Sequence, residues 1–104
     1  MKSLYKTEFP NFDYDIPQLP DGFVDVSWHN NVSPSFKRQL KDNLTLTLWI
    51  DYLDESKREC GGDQFLVIVH IEDQIEDVLY ESDFESFDDA IRAINDILAN
   101  EATQ

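Results

Sequence analysis

LTLTLWIDYL (residues 44–53), DESKRECGGD (54–63) and QFLVIVHIE (64–72) together decide the fold. From Leu44, apolar side chains take alternate positions: Leu46, Leu48, Ile50 and Tyr52. Between them stand Thr45, Thr47, Trp49 and Asp51. Neighbouring side chains of a strand point to opposite faces, so this alternation predicts one buried face and one partly solvated face. β-Branched threonine suits the pleated backbone of the solvated face. Trp49 breaks that pattern. Either a helix end or the N-terminal segment covers it, or it is a contact residue at the surface.

The third segment differs. Phe65, Val67, Val69 and Ile71 share one face, while Leu66, Ile68 and His70 share the other. A run that is apolar on both faces predicts a central strand covered on both sides. Gly61-Gly62 is expected to supply the positive-φ conformations of the return, which a Cβ makes costly. Residues 44–72 thus read as a long hairpin to which the rest of the chain is added.

Working back toward Met1, FVDVSWH (23–29) alternates again, with Val24, Val26 and Trp28 on one face. The Pro20-Asp21-Gly22 turn precedes it. Residues 1–22 hold Tyr5, Phe9, Phe12 and Tyr14 with Pro10, Pro17 and Pro20. Proline fixes φ and lacks an N–H, so this is expected to be an extended arm packed across the sheet. The segment NNVSPSFKRQLKDN (30–43) reads as polar and irregular, with at most one helical turn. Its Lys37, Arg38 and Lys41 form the basic cluster, expected to offset part of the acidic surface or to orient the domain on a partner.

Beyond the hairpin, residues 73–75 make a tight link and 77–81 a short strand. Ser86 is followed three residues later by Asp89, a variant of the capping box. Phe87, Ala90, Ile91, Ile94, Ile97 and Leu98 then recur at helical spacing. Asp88 and Asp89 favour the positive end of the helix dipole. The expectation is a helix over 87–99 docked on the sheet. The predicted fold is α+β: a single domain spanning 1–104, with an arm (1–22), a four-stranded antiparallel β-β-β-β meander (23–81) and one C-terminal helix (86–100) packed on a face.

The charge is −14, from 22 acids and 8 bases. Residues 1–41 are balanced, with five of each. Residues 42–104 carry 17 acids against three bases, and nine acids and no lysine or arginine lie between Glu72 and Asp89. Such a field repels phosphates, which argues against direct nucleic-acid or anionic-membrane binding and favours a basic protein partner. No apolar run is long enough to span a membrane, and no signal-peptide pattern follows Met1. Cys60 stands alone and cannot form an internal disulfide. The expected location is the cytoplasm.

No stretch carries a catalytic or cofactor motif. Glu72, Asp73, Glu76 and Asp77 could offer oxygen ligands, but their spacing matches no EF-hand loop. His29, His70 and Cys60 could be a nucleophile and base or zinc ligands, but a zinc site normally needs three or four such ligands and nothing in the sequence brings these together. His70 is expected to fill a strand position with a satisfied hydrogen bond. Trp28, His29, Asn30 and Asn31, with the nearby Phe36, read either as strand and turn anchors or as a polar-aromatic patch for a partner.

A row of carboxylates can imitate a polyanion, because duplex DNA presents one charge per roughly 1.7 Å of axis. The sequence therefore predicts a non-enzymatic acidic protein that inhibits or sequesters a basic, nucleic-acid-handling protein. Small phage or mobile-element proteins of the anti-defence type share this composition. The expected contact residues are Glu72, Asp73, Glu76, Asp77, Glu81, Asp83, Glu85, Asp88, Asp89 and Trp49. No metal or cofactor is expected. An immunity protein against a toxin nuclease is the first alternative. A small structural or homo-oligomeric module is the second.

Overall fold

The computed structural model describes residues 4–31, 33–41, 43–58, 62–71 and 74–102. Among the described residues, two α-helices and five strands run in the order α1 (Leu4–Glu8), β1 (Val24–Asp25), β2 (Ser35–Gln39), β3 (Leu44–Ile50), β4 (Phe65–Ile71), β5 (Gln74–Phe84) and α2 (Phe87–Ala102), with one 3-10 turn at Glu55–Lys57 between β3 and β4. The sheet is a fully antiparallel meander in the order β1-β2-β3-β4-β5. It thus has five strands, one more than the sequence pattern predicts.

The additional strand is β2. Ser33-Pro34 reads as a breaker and Lys37-Arg38 as a solvated turn, yet Pro34 sits just before the strand, where its missing N–H costs nothing. Its carbonyl accepts the Ile50 N–H at 3.0 Å. Phe36 enters the core, and Lys37 points away from it. Asn43 turns the chain into β3 with φ 64°, a left-handed conformation that asparagine tolerates. The middle strand is consequently β3, not β4 as the two-sided apolar run suggests.

The first strand is shorter than FVDVSWH implies. Only Val24 and Asp25 pair with β2, and Val24 is 61% exposed and Trp28 50% exposed. Side-chain bonds compete with the ladder here. Asp25 Oδ1 accepts the Ser27 N–H at 3.1 Å, and its Oδ2 accepts the Tyr5 N–H at 2.9 Å. Trp28 lies tilted on His29, 4.2 Å between ring centroids, and His29 Nδ1 is 3.1 Å from Glu8 Oε1.

The arm begins as a helix, since the first proline is Pro10 and residues 4–8 are free to coil. It then runs extended, and Tyr5, Phe12, Tyr14, Ile16 and Leu19 pack on one face of the sheet. Gly22 closes the turn before β1 at φ 94°, where its missing Cβ also leaves room for the Arg38 guanidinium. Arg38 donates to the Asp21 carbonyl in return.

Leu46, Leu48, Ile50, Val67 and Phe65 face this arm and α2, at 0–1% exposure. Each large side chain removed from water here contributes about 1.5–3 kcal/mol before entropy. Ala90 and Ile94 bring α2 onto the same face. The Ser86 hydroxyl starts α2 by accepting the Asp89 N–H at 3.1 Å.

The loop between β3 and β4 is built around Arg58. Its guanidinium donates to the carbonyls of Tyr52, Gly62 and Leu53 at 2.6, 2.9 and 3.1 Å. Asp13 of the arm clamps the same loop by accepting the N–H groups of Leu53 and Asp54 at 2.8 and 2.9 Å. Gly62 does not adopt the positive φ anticipated for it, and Gly61 lies outside the described residues.

Candidate partner-binding face

Strand alternation and register place a second set of side chains on the face opposite α2 and the arm. Directly paired residues of antiparallel strands share a face. Three rows result. Ser35, Trp49, Leu66 and Asp83 form one; Lys37, Thr47, Ile68 and Glu81 form the next; Gln39, Thr45, His70 and Val78 form the third. None of these residues belongs to the core cluster that α2 and the arm cover.

The sequence predicts β4 to be covered on both sides. Instead, Leu66 and Ile68 are half-buried, with their β3 neighbour Trp49 equally so. Thr45 and Thr47 are buried nonetheless. They are small and lie between longer neighbours, Gln39 and His70 for one, Lys37 and Ile68 for the other. The Thr47 hydroxyl is 3.3 Å from His70 Nε2, and His70 Nδ1 is 3.1 Å from the Ile71 carbonyl oxygen. His70 is thus a satisfied strand residue.

Near Trp49 the face becomes concave. A hollow of about 310 Å³ is lined by Trp49, Leu66, Asp51, Asp63, Glu81 and Asp83, together with Ser33, Gly62 and Gln64. Among the described residues, no lysine or arginine lines it. The nearest cation lining the adjoining cleft is Arg58, whose side chain is 3% exposed and already committed to three carbonyls and to Glu85 at 3.6 Å. A larger hollow, 360 Å³, lies beneath the arm between Tyr5, Ile16, Leu19 and Phe23. Its carboxylate, Asp25, already accepts two backbone N–H groups.

Charge crowding shows beside the acidic hollow. A hydrogen bond with the Asp63 carboxyl holds the Glu85 pKa above 4.5, burial and the Asp63 charge add to this, and Arg58 opposes it. Asp88 acts elsewhere. Its charge, after burial, raises the pKa of Tyr14, whose ring meets Phe65 at 5.8 Å on the core side of the sheet.

The run of acids read as one unit is therefore divided in space. Glu81 and Asp83 lie on the open face with Trp49. Glu85 follows β5 and faces Arg58. Asp88 and Asp89 are exposed in the first turn of α2. Glu76 and Asp77 belong to β5 by their backbone, with side chains outside the described set, and Glu72 and Asp73 lie outside the described residues. Cys60 does as well. Among the described residues, no group of three or more His, Cys, Asp or Glu is placed to hold a metal ion, and no helix is long and apolar enough to cross a membrane.

Asp51 and Asp63 join Glu81 and Asp83, and the sequence pattern did not single them out. For Asp51 a signal existed: it stands two residues beyond Trp49, so alternation directs both to one face. Asp63 arrives through the loop held by Arg58, which no periodicity reveals. The basic cluster disperses: Lys37 lies on the open face, Arg38 is tied under the arm turn, and Lys41 is in the β2–β3 turn. No protein-family model matches the chain, and no curated protein or solved structure does either.

Proposed function

We propose that this chain is a non-enzymatic acidic binding protein that inhibits or sequesters a basic, nucleic-acid-handling protein, as anti-defence proteins of phages and mobile elements do. The observation that carries the reading is the sheet face opposite α2 and the arm, where exposed Glu81 and Asp83 of β5 stand beside half-buried Leu66 and Trp49. Carboxylates steer a basic surface to this face and stand in for phosphates, and the apolar centre provides contact area once water is expelled. The net charge of −14 disfavours nucleic acid and a second copy of the chain as the occupant.

A second reading, an immunity protein against a toxin nuclease, draws support from the same apolar centre. A polyanion has no counterpart to Trp49 and Leu66, whereas a dedicated protein partner does.

The test is capture on the immobilised full chain, with duplex DNA as competitor and salt raised from about 50 to 200 mM. The reading expects a basic nucleic-acid-binding protein, displaced by DNA and by salt, and retained about tenfold less by the Glu81→Gln, Asp83→Asn double variant. Capture that is indifferent to salt, DNA and both substitutions would overturn it.

A further inference from the structure

We propose that the hollow on the open sheet face, lined by Trp49, Leu66, Glu81 and Asp83, receives an arginine side chain projecting from the basic partner. This rests on the function proposed above and names the chemistry of its central contact.

Size decides first. At about 310 Å³ the hollow is at the small end of ligand sites, and it suits a side chain rather than a helix or strand. Its walls decide next. Trp49 pairs with Leu66, and Leu66 pairs with Asp83, so Trp49 and Asp83 stand two strand spacings apart, about 10 Å. A flat cation laid on the indole needs about 3.5–4 Å from the ring. Its N–H groups reach a carboxylate at about 2.8 Å. Trp49 and Asp83 line the same hollow, so a cation lodged in it has an aromatic ring and a carboxylate among its neighbours.

Arginine meets these requirements better than lysine. Its guanidinium is planar, is less strongly hydrated and stacks on aromatic faces, and its fork binds carboxylates in pairs. Glu81 and Asp83 make no side-chain hydrogen bond or ion pair among the described residues. The crowding of Asp63 against Glu85 gives an arriving cation a further favourable term. A divalent metal is disfavoured because no three-ligand group forms among the described residues.

The test follows the two tryptophan indole N–H signals of the full chain by NMR while blocked Gly-Arg-Gly is added. Trp28, 50% exposed on its loop, is the internal reference; a Trp28→Phe variant assigns the pair. The expected result is a saturable shift at Trp49 with Trp28 unmoved. The citrulline peptide, neutral and of the same shape, should bind at least about tenfold more weakly, and the lysine peptide about threefold more weakly. Asp83→Asn with Glu81→Gln should weaken the arginine peptide about tenfold while the remaining amide spectrum shows the fold intact. An unmoved Trp49, equal binding of citrulline, or undiminished binding by the double variant overturns the assignment. If the peptide fails but salt- and DNA-sensitive capture persists, the arginine pocket falls and the function stands. If capture fails and the peptide still binds, the pocket stands and the function falls.

Discussion

Arg58 lies 3.6 Å from Glu85, its side chain almost wholly buried while that of its partner is largely exposed. The cation is held less by this pair than by the carbonyls of Tyr52, Leu53 and Gly62. Removing it leaves those carbonyls without their donor in a partly buried loop. Arg58→Ala should therefore cost about 3 kcal/mol or more in urea unfolding. Arg58→Lys should recover less than half of that loss, because an ammonium cannot reproduce the three-way fork.

Asp13 ties the arm to the same loop. Burial raises its pKa, but the N–H groups of Asp54 and Leu53 outweigh burial and bring it below 3.8. A lowered folded value means that the unfolded chain binds more protons as the solution is acidified. Its contribution is present above pH 3.8 and is lost as pH falls through the lower folded value. Asp13→Ala should destabilise by about 1–2 kcal/mol near neutrality. The difference from the parent should shrink in the acid limb of a stability-against-pH curve.

Glu85 acts in the opposite sense. Its folded pKa lies above 4.5, so the folded chain holds the proton over a range where the unfolded chain has released it. This group's contribution to stability should decline as pH rises from 4.5 through the raised value. Urea midpoints from about pH 4 to 7 should fall less steeply in Glu85→Gln than in the parent.

Ser86 offers a local test. Its hydroxyl accepts the Asp89 N–H at the start of α2. Ser86→Ala should cost about 1 kcal/mol by thermal or urea unfolding, while Ser86→Asp should retain most of the stability.

The two faces of the sheet predict unequal costs. Leu48 is fully buried beneath the arm and helix side, and Leu66 is half-buried on the open side. Leu48→Ala should lose about 2–5 kcal/mol. Leu66→Ala should lose about 1 kcal/mol, because less apolar surface is at stake, and should weaken partner capture.

The long hairpin and the C-terminal helix were legible because their periods, two and 3.6, persist over many residues. β2 was not, because it is only five residues long and carries Lys37 and Arg38 behind a proline. The apolar character of Leu66 and Ile68 was read as a sign of cover, since sequence records what a face is made of and not what rests on it. Glu81 and Asp83 were visible as acids. Their assembly with Asp51 and Asp63 around Trp49 depends on strand register and on a loop shaped by Arg58, neither of which a local pattern contains.

The row running Lys37, Thr47, Ile68 and Glu81 spans three strand spacings, about 14 Å, from a cation to an anion. A molecule drifting toward this surface therefore experiences a turning moment as well as attraction. Its own positive side is swung toward β5 and its negative side toward β2 before contact is made. The meander thus sets opposite charges on β2 and β5 of one face, which gives that face a sense of direction for any dipolar molecule that approaches it.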